Sequence, residues 1–211
     1  MNSKRSAKKS PAKSPSAQSS NNEQENNQDE LFPIVGMGAS AGGIEAFTEL
    51  LNHLPNDTGM AFVIVQHLSP NQKSLLSEIL SRSTEMPVVE VQNGMVVEPN
   101  HVYVIPPNAK MTIAQGVLNL APRGRIYGLF MSVDAFLISL AEERGSKAIG
   151  VVLSGSDGDG ARGLEHIKDA GGITFAQCQS SAKVGGMPST AVASGNVDLQ
   201  CCYLYLLPVV Y

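Results

Sequence analysis

The stretch that decides the fold is IVGMGASAGG, residues 34–43. Pro33 to Met37 predict a short buried strand, and the glycines after it allow a tight turn. Apolar residues then recur at helical spacing, at Ile44, Phe47, Leu50, Leu51 and Leu54. The stretch therefore predicts a βα unit whose glycine-rich turn lies at the carboxyl end of the strand.

Strands and helices continue to alternate along the chain. Apolar runs at residues 60–65, 148–153 and 172–176 predict further buried strands, each followed by a helical segment. This alternation predicts an α/β fold, a doubly wound, mostly parallel sheet with helices on both faces. Short β-like pieces between residues 88 and 120, with turns at Asn93-Gly94 and Gln115-Gly116, predict a small antiparallel hairpin insertion.

Composition divides the 211 residues into three parts. Residues 1–31 are rich in Ser, Asn, Gln and Lys with almost nothing apolar, which predicts a disordered polar tail. Residues 32–199 predict one globular domain. Residues 200–211 form an atypical apolar segment at the C-terminus.

The overall composition argues against several function classes. A net charge of −4 and an aromatic content of 5% disfavour a nucleic-acid partner. The three cysteines, Cys178, Cys201 and Cys202, are too few and too badly spaced for a zinc site. The sequence has no secretory signal and no apolar run of the roughly 20 residues that span a membrane. We therefore expect a cytoplasmic protein without metal, cofactor, nucleic-acid partner or membrane insertion.

The glycine-rich turn fits two functional motifs. As G-x-G-x-x-A, from Gly36 to Ala41, it resembles a dinucleotide fingerprint, and as G-x-S-x-G, from Gly38 to Gly42, a nucleophile elbow that exposes Ser40. A third interpretation is that the glycines only permit close packing of strand and helix.

The end of the second strand separates these interpretations. A dinucleotide site calls for Asp or Glu about 20 residues after the glycines, whereas this strand ends in Gln66-His67. A histidine beside a candidate nucleophile is the expected general base for acyl transfer. His67 therefore favours the elbow motif.

A third strand end carries the loop SGSDGDG, residues 154–160. A base histidine needs a carboxylate to orient its ring, and Asp157 and Asp159 both qualify. A helix cap and, less favoured because further acidic ligands are missing, a calcium site are the alternatives. Because the carboxyl ends of parallel strands collect functional groups at one edge of a sheet, we expect the three loops to meet.

With these residues assembled, the chain resembles the catalytic domain of the chemotaxis receptor protein-glutamate methylesterases, the CheB type. Three motifs carry the resemblance, at residues 34–43, 65–67 and 152–160. It implies hydrolysis of γ-glutamyl methyl esters on receptor signalling helices and, in some members, deamidation of receptor glutamines. The segment from Ala148 to Gly172 most resembles members fused to a receptor methyltransferase domain, which makes such a domain a candidate partner.

The resemblance also implies the roles of individual residues. Ser40 is the nucleophile, His67 the base and Asp159 the orienting carboxylate, because Asp159 occupies the family's position before Gly-Ala. The oxyanion donors are the backbone amides near Ala41 and Ser156.

Two departures from the family's pattern bear on activity. Asp157 stands where the family usually has glycine, which places an extra negative charge beside the triad. Residues 200–211 are apolar where the family continues into a polar loop and a closing helix, so we expect a truncated or altered terminus. These departures leave open a catalytically impaired regulatory or scaffold remnant of the same fold. The G-x-G-x-x-A motif leaves open a dinucleotide-binding domain.

Overall fold

The computed structural model describes Met1 and residues 31–67, 75–123 and 131–201. Three expectations fall wholly or mostly outside these residues. They are the polar tail, the start of the helical segment predicted after the strand at residues 60–65, and all but the first two residues of the apolar C-terminal segment.

Ten strands and five α-helices make up the described part of the chain. The strands are β1 Ile34–Ala39, β2 Ala61–Gln66, β3 Val88–Glu90, β4 Met95–Val96, β5 Val102–Val104, β6 Ala109–Ala114, β7 Val117–Pro122, β8 Ala148–Val152, β9 Ile173–Gln177 and β10 Leu199–Cys201. The helices are α1 Gly43–Asn52, α2 Leu76–Leu80, α3 Ser132–Arg144, α4 Ala161–Asp169 and α5 Gly186–Ala193, and a 3-10 turn follows α3 at Gly145–Lys147.

The larger sheet contains seven strands in the order β10-β9-β8-β1-β2-β5-β3. All of its described strand pairs are parallel. At the carboxyl end of β1, Ala39 pairs with Gln66 of β2, and Gly38 pairs with Val152 of β8. The loops that follow β1, β2 and β8 therefore leave the sheet side by side at one edge.

Helices cover both faces of this sheet, which confirms the predicted doubly wound fold. The apolar residues of α1 and α2 join one buried cluster, and those of α3, α4, α5 and the smaller sheet join another. Within the described ranges, no helix has the length and apolar character needed to cross a bilayer.

The smaller sheet is antiparallel and has three strands, in the order β4-β7-β6. Gln115 and Gly116 join β6 to β7 with φ angles of 53° and 71°, as a tight hairpin turn requires. The prediction of a second hairpin at Asn93-Gly94 is wrong. The strands on either side of it belong to different sheets, because β3 pairs with β5 and β4 pairs with β7.

Two glycines of β1 allow α3 to pack closely on the sheet. A Cβ atom added to Gly36 would lie 2.7 Å from Leu137 Cδ2, and one added to Gly38 would overlap Val133. Both glycines thus serve the packing of strand against helix, as the third interpretation of the turn proposes.

Candidate active site

Ser40 directly follows β1, at the edge where β2 and β8 also end. Its backbone N–H donates to the Ser154 carbonyl at 2.9 Å, and its own carbonyl accepts from the Gln66 side-chain amide at 2.6 Å. Gly42, with φ of 78°, adopts the left-handed conformation that turns the chain into α1. The Ser40 turn is therefore held from both neighbouring strands.

His67 is the first residue after β2, and it occupies the position next to Ser40 along this edge. The two residues directly follow the paired residues Ala39 and Gln66, and the His67 N–H donates to the Ala39 carbonyl at 3.2 Å. Since neighbouring strands lie about 4.8 Å apart, Ser40 and His67 are close neighbours.

Asp159 contacts the imidazole ring directly. Its Oδ2 lies 2.7 Å from Nε2 of His67, and its side chain is fully buried. The backbone amides of Val133 and Asp134, at the N-terminus of α3, donate to Oδ2 and Oδ1 at 2.9 and 2.8 Å. The helix dipole adds to the stabilisation of this carboxylate. Since a carboxylate only accepts hydrogen bonds, Nε2 of His67 carries the proton of this contact, and Nδ1 is the ring nitrogen not committed to Asp159.

Asp157 contacts the other side of the same ring. Its Oδ2 lies 3.3 Å from Nδ1 of His67, and its Oδ1 accepts from the Asp159 N–H at 3.1 Å. Its side chain is 44% exposed. Asp157 and Asp159 were both candidates for the carboxylate that orients His67. They contact different nitrogens of its ring.

The Ser40 hydroxyl makes no hydrogen bond among the described residues. The structure brings His67 and Asp159 into contact and places Ser40 at the adjacent strand end. Catalytic hydrogen bonds are often long or absent without substrate. The serine–histidine contact thus remains a prediction.

The backbone amides of Ala41 and Ser156 have no acceptor among the described hydrogen bonds. The residue before Ser156 is held in place, because the Gly155 N–H donates to the Val184 carbonyl and the Gly155 carbonyl accepts from the Met187 N–H, each at 2.9 Å. Both amides are therefore available to a ligand oxygen.

Ser154 is a positioning residue that the sequence analysis did not single out. It is fully buried; its hydroxyl donates to the Ala41 carbonyl at 2.7 Å and accepts from the Val184 N–H at 2.9 Å. Its own N–H donates to the Gln177 side chain at 3.0 Å. The signal in the sequence was a serine directly after the apolar run of residues 148–153.

Replacing Ser154 with alanine should weaken both the fold and the site. The change leaves the part-buried Val184 N–H and Ala41 carbonyl without their partner, so we expect the free energy of unfolding to fall by about 1 kcal/mol. Displacement of the Ala41 peptide should lower esterase turnover about 10- to 100-fold. Denaturant unfolding and kinetics check this, with Ser189→Ala, on an exposed face of α5, as control. Parent-like values for both quantities would refute the assigned role.

Two further charged residues, to which the sequence assigned no role, shape the electrostatics. Burial raises the pKa of Asp134, although its carboxylate accepts from the Gly160 and Gly163 amides and so caps α4. Burial lowers the pKa of Arg123, and the charges of Asp159 and Asp157 act in the opposite direction. Both site carboxylates therefore act on the pKa of Arg123.

The geometry does not favour the dinucleotide interpretation. The space beside Gly36 and Gly38, where a fingerprint admits a pyrophosphate, is filled by α3. The residue at the end of β2 is Gln66, whose amide is bonded to the Ser40 turn. Among the described residues, no group of three or more His, Cys, Asp or Glu is arranged to hold a metal ion.

Comparison with known proteins identifies the family. The sequence model described as CheB methylesterase matches residues 35–208, a range that extends past Leu199, where we end the catalytic domain. The structure is similar to the crystal structure of the Thermotoga maritima CheB methylesterase catalytic domain, with a TM-score of 0.76 and 28% identity over 83% of this chain and 95% of that one. The chain belongs to the CheB methylesterase family.

Curated relatives agree with this assignment. A protein-glutamate methylesterase/protein-glutamine glutaminase 1 of Burkholderia pseudomallei is 37% identical over 169 residues, which are 78% of this chain and 46% of that protein. The protein-glutamate methylesterase FrzG of Myxococcus xanthus is 34% identical over 165 residues, or 78% of this chain and 49% of the relative. The chain thus spans about half the length of the curated relatives it matches.

Proposed function

We propose that this chain is a serine esterase that hydrolyses glutamate γ-methyl esters on chemotaxis receptors through Ser40, His67 and Asp159. One observation carries the proposal. A histidine at the strand end next to Ser40 is bonded through Nε2 to a buried carboxylate at 2.7 Å, which leaves Nδ1 to act as the base. This is the constellation that activates a serine nucleophile.

The reaction follows from the positions of these groups. Ser40 Oγ attacks the ester carbonyl while its proton passes to His67 Nδ1, and Asp159 stabilises the imidazolium that forms. The amides of Ala41 and Ser156 donate to the tetrahedral oxyanion. The proton then passes from His67 to the leaving methoxide, which departs as methanol. Water, deprotonated by the same nitrogen, hydrolyses the acyl-enzyme to the glutamate carboxylate.

The same groups support deamidation of glutamine, with ammonia in place of methanol as the leaving group. The name of the Burkholderia pseudomallei relative includes both activities. We therefore include receptor glutamine as a second substrate. Receptor helices are the proposed partner in the cytoplasm, and a receptor methyltransferase domain is a candidate second partner.

Release of methanol from methylated receptors tests the proposal. Membranes carrying receptors with a radiolabelled methyl ester are incubated with the purified chain, and volatile radioactivity is followed over time. We expect release in proportion to protein concentration, and its loss after treatment with a serine-directed phosphonate. If a folded chain released no more methanol than membranes alone, the esterase proposal would fail and the non-catalytic remnant would be favoured.

A further inference from the structure

We propose that Asp157 is a gate on the base: its carboxylate occupies the ring nitrogen of His67 that has to receive the Ser40 proton, and turnover requires it to move away. The inference rests on the proposed function and concerns the regulation of that same site. Asp157 is a positioning residue, because it acts through His67 and takes no part in bond making.

The two ring nitrogens of His67 have unequal freedom. Nε2 is committed to Asp159, whose carboxylate is buried and also held by two amides of α3. Burial and these two hydrogen bonds keep the Asp159 carboxylate in place. Proton transfer from Ser40 therefore has to use Nδ1.

Nδ1 is the nitrogen that Asp157 faces. The Asp157 Oδ2 lies 3.3 Å away, and the Ser40 hydroxyl makes no hydrogen bond among the described residues. A carboxylate only accepts hydrogen bonds, so its contact with Nδ1 is favourable when Nδ1 carries a proton. The carboxylate of Asp157 therefore lies at the atom to which the Ser40 hydroxyl has to donate.

The side chain of Asp157 is free to change its rotamer, whereas that of Asp159 is not. Its side chain is 44% exposed, whereas that of Asp159 is fully buried. Its other oxygen accepts from the Asp159 N–H within a short loop of residues 154–160, so one side-chain rotation separates it from His67. The charge of Asp157 also acts on the pKa of Arg123, opposite to the effect of burial.

The resemblance to the family implies glycine at position 157, and glycine has no carboxylate to face Nδ1. Binding of a receptor helix that draws the Asp157 carboxylate outward would open the site, and the free chain would stay slow toward other esters.

The test is the second-order rate constant for labelling Ser40 with a small uncharged fluorophosphonate. Because the reagent carries no charge, faster labelling of a variant cannot be due to lost repulsion between the substrate and Asp157. The variants are Asp157→Gly, and Asp157→Ser, whose hydroxyl can still accept from the Asp159 N–H but is too short to reach Nδ1. Asp169→Asn, an exposed charge at the end of α4, is the matched control.

We expect both gate variants to label at least tenfold faster than the parent, and the control to match it. In methanol release, kcat should rise while KM stays within about twofold, since the gate acts on proton transfer. Acceleration from an undetectable parent rate would equally support the gate. If the parent labels and neither folded variant is faster, the gate is refuted and the esterase proposal stands. If parent and variants are all inert, both proposals fail.

Discussion

Replacing Ser40 with alanine is expected to lower turnover of methylated receptors by roughly four to six orders of magnitude. Alanine has no hydroxyl to form the acyl-enzyme, so only the residual effect of the oxyanion amides and of substrate binding is left. The Ser40 hydroxyl makes no hydrogen bond among the described residues. The free energy of unfolding should therefore change by less than about 0.5 kcal/mol.

The combination of a lost activity and an unchanged fold is what distinguishes a nucleophile from a structural serine. Ser154→Ala is the contrast, since it should lower stability as well as rate. Methanol release and denaturant unfolding of the same preparations measure both quantities. A Ser40→Ala chain that releases methanol within tenfold of the parent rate would exclude Ser40 as nucleophile.

Replacing Asp159 with asparagine is expected to lower kcat about 10⁴-fold. With its oxygen in the place of Oδ1, the asparagine accepts from the Asp134 amide, and its NH₂ group takes the place of Oδ2, facing Nε2 of His67 and the Val133 amide. Nε2 then has to accept, and the ring proton moves to Nδ1. A His67 with its proton on Nδ1 cannot take the proton of Ser40, so the loss appears in kcat more than in KM.

Asp157→Asn is the contrasting variant, because it removes the same charge two loop positions away and on the other side of the ring. It should not lower kcat, since it does not disturb Nε2, and any change that comes from loss of the gate should be an increase. Steady-state kinetics on the two variants compares them directly. Equal losses would contradict the assignment of Asp159 as the orienting carboxylate.

The large sheet followed from the sequence because its strands are local apolar runs with helices between them. The strand ends that carry Ser40 and His67 were predictable for the same reason, since parallel pairing brings the carboxyl ends of β1 and β2 together. The hairpin at Asn93-Gly94 was mispredicted because turn residues do not reveal which sheet each flanking strand joins. That choice depends on the pairing of β3 with β5, which lies outside the turn.

The choice between the two aspartates could not be made from spacing. Asp157 and Asp159 lie two positions apart in one loop, and both reach the ring. What separates them is the N-terminus of α3, whose amides hold Asp159 from a segment 25 and 26 residues away in the chain. Contacts of this range depend on tertiary packing. Ser154 and Gln66, which fix the Ser40 turn through side-chain hydrogen bonds, were missed for the same reason.

The most direct test of the central claim is a crystal structure of the chain after reaction with a small phosphonate. We expect phosphorus bonded to Ser40 Oγ, and the phosphonyl oxygen about 2.7–3.1 Å from the Ala41 and Ser156 amides. His67 Nδ1 should lie on the side of the leaving group, with Nε2 still bonded to Asp159. An adduct on another residue, or a Ser40 adduct whose oxygen points away from both amides, would contradict the account.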